Sequence, residues 1–274
     1  MRLILLTALT MLAFAANSIL NRAALAGGEA GPASFAALRL VSGAVVLCLL
    51  VALRDPGRVR RALDAGNAGA LALYVLGFSF AYVSLDAGVG ALILFGGVQV
   101  TMFAGALIGG EPVPRARWLG AGVALAGLGV LVWPGTGVSL PLSGVALMLA
   151  AAVGWGLYSL RGRGGADPLA TTAASFLLAV PAGLLVFLLL PDGMSPVGAA
   201  LAVTSGAMTS GLGYALWYTV LPGLGATRAA VAQLSVPLIA AAGGLALGEA
   251  LSGRLVVAAV LVLGGVGLSL RPGR

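Results

Sequence analysis

The chain is a succession of long apolar runs broken by short polar turns. A helix crossing the hydrocarbon of a bilayer needs about 20 mostly apolar residues. Ten such runs can be marked, at 3–21, 33–53, 67–85, 88–108, 116–133, 142–160, 169–190, 198–219, 227–247 and 255–270. Only short turns are left between them, so the pattern predicts an all-α integral membrane protein of ten transmembrane helices with no soluble domain. The opening stretch, MRLILLTALTMLAFAA, looks like a signal peptide. No small-residue cleavage site leads from it into a soluble domain, and it reads as the first span.

The pattern also repeats. Phe80–Glu111 and Leu216–Glu249 share an aromatic pair, a short turn, a Gln-bearing run and a closing Gly-Glu, at Gly110-Glu111 and Gly248-Glu249. An apolar run ending in Pro-Gly follows each, at Pro134-Gly135 and Pro272-Gly273, and both landmarks are displaced by 138 residues. Met11-Leu12-Ala13 recurs as Met148-Leu149-Ala150, and Gly27-Gly28 as Gly164-Gly165. Two units follow, 1–137 and 138–274. Each holds five spans, an odd number, so the second copy is expected to lie inverted in the membrane. Inverted repeats are a construction of secondary transporters, with the substrate near the midplane where the repeats meet.

Composition agrees with lipid as the solvent. Hydrophobic residues make up 60% of the chain and charged ones 8%, against about 25% charged in a soluble domain. The 43 glycines suit helices that approach closely in lipid. The net charge of +7 would suggest nucleic acid in a soluble chain. Here all fifteen cations are Arg and gather at the ends of runs, which makes them determinants of topology. Arg2, Arg54, Arg58, Arg60, Arg61, Arg115, Arg117, Arg161, Arg163, Arg228, Arg271 and Arg274 fall on one side if both termini lie there. That predicts N-in and C-in, with no nucleic-acid partner. His is absent and Cys48 is the single cysteine, so no disulfide or imidazole-based metal site can form and no cofactor is expected. An intramembrane protease would need Ser with His, or paired Asp residues within the membrane; neither is present, and the chain does not read as an enzyme.

The two repeats, each ending in a Gly-Glu element like Leu247-Gly248-Glu249 before a Gly-rich helix, resemble the drug/metabolite transporter superfamily. More narrowly they look like its ten-helix EamA-type exporters, with repeat openings visible as Phe14–Asn21 (FAANSILN) and Gly154–Tyr158 (GWGLY). The aromatic-rich helices are similar to the bacterial aromatic amino acid exporter branch. That family often has Pro in the middle of helices 4 and 9; Pro237 fits, while the corresponding first-half position is Gln99. The resemblance implies an alternating-access carrier in the bacterial inner membrane, exporting small organic solutes such as amino acids. A monomer or weak homodimer is expected.

Polar side chains within spans face a bundle interior or a wet cavity. The substrate-binding candidates are Asn17, Phe78, Tyr82, Phe95, Gln99, Met102, Trp155, Tyr158, Tyr214, Trp217 and Gln233. In the 138-residue register Gln99 matches Pro237 and Gln233 matches Phe95, so the two Gln fall one turn apart on equivalent faces. Other roles compete: Tyr74 and Tyr218 also suit an interfacial aromatic belt, and Asn or Gln can join helices at about 0.6 kcal/mol per hydrogen bond. Arg39 is expected to snorkel outward or pair with Glu29, with a contact to a substrate carboxylate as the alternative. Glu111 and Glu249 are expected to act at helix ends. No Asp, Glu or His lies mid-span, which favours uniport or coupling through substrate charge over a buried proton relay. With no paired midplane cations to clamp a phosphate, the expected cavity is neutral, amide-lined and aromatic. A proton-coupled multidrug or metabolite antiporter and a passive channel are the alternatives.

Overall fold

The computed structural model describes residues 1–55, 57–110, 114–133, 140–162 and 167–269, and only the backbone of 222, 225–231 and 269. Glu111, Pro134-Gly135, Gly164-Gly165, Pro272-Gly273, Arg163, Arg271 and Arg274 lie outside the described residues, as does the side chain of Arg228.

The described chain is built of helices joined by short turns. Its helices are α1 (Arg2–Ala26), α2 (Pro32–Ala52), the short α3 (Gly57–Arg61), α4 (Ala65–Ala81), α5 (Ala87–Ile108), α6 (Arg115–Val132), α7 (Leu142–Gly162), α8 (Pro168–Leu189), α9 (Pro196–Thr204), α10 (Gly213–Gln233), α11 (Ser235–Ala246) and α12 (Gly253–Ser269). A π-helical segment, Ser205–Leu212, joins α9 to α10 without a break. Among the described residues, six helices (α1, α2, α5, α6, α7 and α8) are long and apolar enough to cross a membrane; α4, α11 and Gly253–Leu268 are shorter apolar helices.

Helix starts follow from local chemistry. Asp64, Asp167 and Ser195 accept the amides of Asn67, Ala170 and Gly198 at the openings of α4, α8 and α9, satisfying donors that have no intrahelical partner. Pro32, Pro168 and Pro196 stand at the first helical turn, where a missing N–H loses nothing. At the repeated Gly-Glu elements, Gly110 and Gly248 both take positive φ, at 70° and 83°, as left-handed residues that end helices. One boundary differs from expectation. The turn expected between the eighth and ninth runs, near 220–226, is helical, and the break falls at Leu234 instead. A proline removes one amide donor and leaves the rest of the ladder able to continue; α8 passes through Pro181 in the same way.

Unlike a water-soluble bundle, the molecule is apolar outside as well as inside, and its apolar core also holds polar groups. Leu9, Leu12, Val45, Leu49, Leu185, Leu188 and Val260 are exposed, while Thr10, Asn17, Asn21, Arg39, Ser79, Thr172, Ser205 and Ser210 are buried. Packing pairs elements across the chain: α6 with α12, α4 with α7, α2 with α8, α5 with α7 and α11, α1 with α10 and α11. Small residues make the closest crossings. A Cβ at Gly154 of α7 would lie 2.6 Å from the Tyr74 amide nitrogen and 2.7 Å from the Ala70 carbonyl oxygen.

Because those neighbours are backbone atoms, Gly154→Ala is expected to push α7 off α4 and lower the midpoint of thermal unfolding in detergent, at about 1–3 kcal/mol. Gly122→Ala, where nothing lies within 4 Å, is expected to leave the midpoint unchanged or raise it. Equal effects of the two would rule out this account of the α4–α7 contact.

Candidate functional site

A small cavity lies among α1, α4, α5, α7 and α10, lined by Phe14, Asn17, Ser18, Tyr74, Phe78, Leu94, Phe95, Trp155 and Tyr214. Its volume is about 10 Å³, room for a single water. Rings close it. Phe14 stands edge-on to Trp155, Tyr214 and Trp217 at centroid distances of 5.9, 5.8 and 5.7 Å. Trp155 lies 5.0 Å from Tyr74 and 4.7 Å from Tyr214, and Tyr74 lies 5.3 Å from Phe78. Such contacts each contribute on the order of 1 kcal/mol beyond burial.

One wall is held by a buried amide–hydroxyl network. Asn17 Oδ1 accepts from Ser205 Oγ at 2.6 Å and Thr209 Oγ1 at 3.1 Å, and its Nδ2 donates to Tyr74 Oη at 3.3 Å. Asn21 donates to the Asn17 carbonyl and to Ser205 Oγ, and accepts from Ser79 Oγ. The π-helical segment makes this possible. Its wider turns, closed by i→i+5 hydrogen bonds, bring Ser205, Thr209 and Ser210 round to the same side of the helix. Two of them bond Asn17 and the third bonds Arg39.

Arg39 corrects the expectation of a snorkelling or Glu29-paired side chain. It is fully buried. Its Nε donates to Ser210 Oγ at 3.0 Å, and its Nη2 to Tyr74 Oη at 3.2 Å and Tyr214 Oη at 3.3 Å. The guanidinium carbon lies 5.3 Å from the Tyr74 ring centre and 5.1 Å from that of Phe78. Nη1 is buried without a hydrogen-bond partner. Glu29 instead accepts from Ser195 Oγ, near the start of α9. The centre of the molecule therefore carries a positive charge where a neutral cavity was expected. Its signal in the sequence was position alone, an Arg well inside an apolar run.

A second, tighter cavity lies where α5, α11 and α12 meet, lined by Phe95, Gly96, Gln99, Gln233, Leu234, Pro237, Val262, Leu263 and Val266. Gln99, Gln233 and Pro237 thus share one wall, and Phe95 belongs to both cavities. Tyr74 is buried at the centre rather than in a belt. Tyr82, Tyr158 and Met102 line neither cavity: Tyr82 donates to the Ala87 carbonyl and Tyr158 to Thr172 Oγ1. Trp217 reaches the first cavity only through Phe14.

Among the described residues, charge is otherwise confined to the ends of the bundle. At one end Arg22 bonds Asp86 and Glu249, each at 2.9 Å, and Glu249 accepts the Ala87 amide at the start of α5. Asp192 caps α2 through the amides of Ala33 and Ser34. At the other end Arg58 pairs with Asp167 and Arg161 with Asp64. The Asn67 amide, with Arg161 close by, holds the Asp64 carboxyl below its ordinary range.

Residues 142–271 match the EamA-like transporter family. An uncharacterized protein of Pseudomonas aeruginosa is 50% identical over 274 residues, covering 99% of this chain and 95% of its own length. A crystal structure of a protein 22% identical superposes with a TM-score of 0.69, covering 96% of this chain and 97% of the other; it shows a shared fold.

The end cluster yields a prediction. Arg22 and Glu249 are largely buried, and Glu249 also caps α5, so a double-mutant cycle of Arg22→Gln and Glu249→Gln is expected to give a coupling of about 1–3 kcal/mol. Asp86→Asn, at a half-exposed carboxylate, is expected to cost under about 1 kcal/mol. Thermal unfolding of the purified variants measures both, and additivity of Arg22→Gln and Glu249→Gln would show the pair to be unimportant.

Proposed function

The chain belongs to the EamA-like transporter family, and from that premise we propose that it is an alternating-access carrier of the bacterial inner membrane that exports small organic solutes, amino acids with apolar or aromatic side chains among them. The observation that carries this reading is the first cavity: aromatic rings and an amide–hydroxyl network converge there from both halves of the chain. Collapsed to the size of one water, it has the form of a binding chamber closed between openings.

The architecture proposed for that carrier is ten spans in two inverted repeats, 1–137 and 138–274, with both termini in the cytoplasm. The packing supports it. Exchanging the halves pairs α1 with α7, α2 with α8, α4 with α9 and α10, α5 with α11, and α6 with α12. Under that exchange the contacts α2–α8, α5–α11 and α6–α12 map onto themselves. The α4–α7 contact maps onto α1–α10, and α5–α7 onto α1–α11. Sets of contacts related in this way give a bundle two equivalent ways to open, one at each face. Among the proposed substrate contacts, Asn17, Phe78, Phe95, Trp155 and Tyr214 surround the chamber. Trp217 backs it, and Gln99 and Gln233 extend it towards α12. Tyr82, Tyr158 and Met102 stand behind these residues. All seven described carboxylates lie outside the central cavities, at helix ends or in the segment joining α2 to α3, which supports transport down a substrate gradient over a carboxylate proton relay.

Proteoliposomes holding the purified protein and loaded with phenylalanine or leucine are expected to show saturable counterflow; flux that never saturates would identify a channel instead. Gln99→Ala and Trp217→Ala are each expected to slow counterflow by roughly three- to tenfold, the size of one lost hydrogen bond or ring contact, with insertion intact. Wild-type rates in both variants across several substrates would sink the cavity assignment. Flux down a fixed substrate gradient is also expected to survive an uncoupler, whereas its loss would establish proton coupling.

A further inference from the structure

A guanidinium sealed in a bundle core is costly unless it is paired and fully hydrogen-bonded. Arg39 is neither. Three of its five N–H groups meet neutral hydroxyls, of Ser210, Tyr74 and Tyr214, and Nη1 meets no acceptor. A carboxylate partner is not at hand among the described residues, because each acid there is engaged elsewhere. Glu29 holds Ser195, Asp55 holds Arg61, Asp64 holds Arg161, Asp86 and Glu249 hold Arg22, Asp167 holds Arg58, and Asp192 holds the α2 amides.

The unpaired charge adjoins the first cavity. Tyr74, Phe78 and Tyr214 line that cavity and also contact the guanidinium. Any solute larger than water must part those rings, and parting them brings the solute to the one buried cation among the described residues and its unsatisfied donor. We propose that Arg39 is the fixed countercharge for a carboxylate of the transported solute. The carrier then accepts zwitterions and monoanions with an apolar or aromatic body, and refuses permanent cations and amines that lack a carboxylate. The Tyr74 hydroxyl strengthens the site. Its oxygen accepts from Asn17 Nδ2 and Arg39 Nη2 and lies 3.1 Å from the Tyr214 hydroxyl, which ties the guanidinium to the amide network of the cavity wall.

This inference rests on the carrier reading, and three probes that share one ring separate the two. Phenylalanine has both charges, 3-phenylpropionate only the carboxylate, and phenethylamine only the ammonium. Binding is followed by intrinsic tryptophan fluorescence of the purified protein, and counterflow in proteoliposomes. Wild type is expected to bind and exchange the two carboxylates at least about tenfold better than phenethylamine, the size of one charge-assisted hydrogen bond. Arg39→Met is expected to abolish that preference, and Arg39→Lys, which keeps the charge, to restore part of it. Should Arg39→Met fail to fold, the wild-type ranking decides alone. Phenethylamine accepted as well as phenylalanine, an Arg39→Met protein that keeps the preference, or no binding of any probe would overturn the proposal. The expected ranking in binding without counterflow would uphold the countercharge and sink the carrier reading; counterflow without the ranking would do the reverse.

Discussion

Hydrocarbon offers no hydrogen bond, and the rest of this structure depends on that constraint. A polar group finds its partner within the chain or reaches the water at a bundle end, and one that does neither, as Arg39 Nη1, is costly. The backbone meets the requirement by being helical in all but the short described segments that join the helices. The side chains meet it by sorting: Arg, Asp and Glu collect at the ends, where they cap helices and pair with one another. Serine and threonine hydroxyls inside the helices donate to carbonyls one turn back, as Thr7, Thr10, Thr101 and Ser159 do. What polarity remains in the interior is concentrated around Asn17, Asn21 and Arg39.

That concentration gives the centre and the ends different mechanical characters. The ends are held by charge, and Glu249 joins three elements at once: it terminates α11, caps α5 and neutralises Arg22 of α1. Separating these helices there forfeits an ion pair and a helix cap together. The centre is held by rings and hydroxyls, whose individual contacts are weak and adaptable. A bundle tied at its ends and soft at its middle can change which end is tied without rebuilding its core.

Much of this was legible in the chain, for physical reasons. Run lengths fixed by bilayer thickness located nearly every helix. Gln99, Gln233 and Pro237, which the sequence marks as polar or kinking positions inside apolar runs, line one wall. Reading failed where position along a helix does not reveal orientation. Arg39 lies close enough to the start of α2 for its long side chain to reach water, yet it turns inward because Ser210, Tyr74 and Tyr214 supply acceptors there. Tyr74 has the spacing of a belt residue and is recruited by the same charge. Tyr82 and Tyr158 share a face with cavity residues, but backbone and Thr172 partners lie nearer. The Pro222-Gly223 pair looks like a turn, and the helix runs through it.

The π-helical segment was illegible for a different reason: periodicity arguments assume 3.6 residues per turn, and Ser205–Leu212 departs from that. It is in effect an insertion of phase. Regularising the segment to α geometry with every residue kept would rotate everything beyond it by about 100° or more. Tyr214 and Trp217 would swing away from Phe14, and Ser210 away from Arg39. One unusual turn therefore sets the angular alignment of an entire wall of the chamber, much as a keyed joint fixes the angle of a shaft.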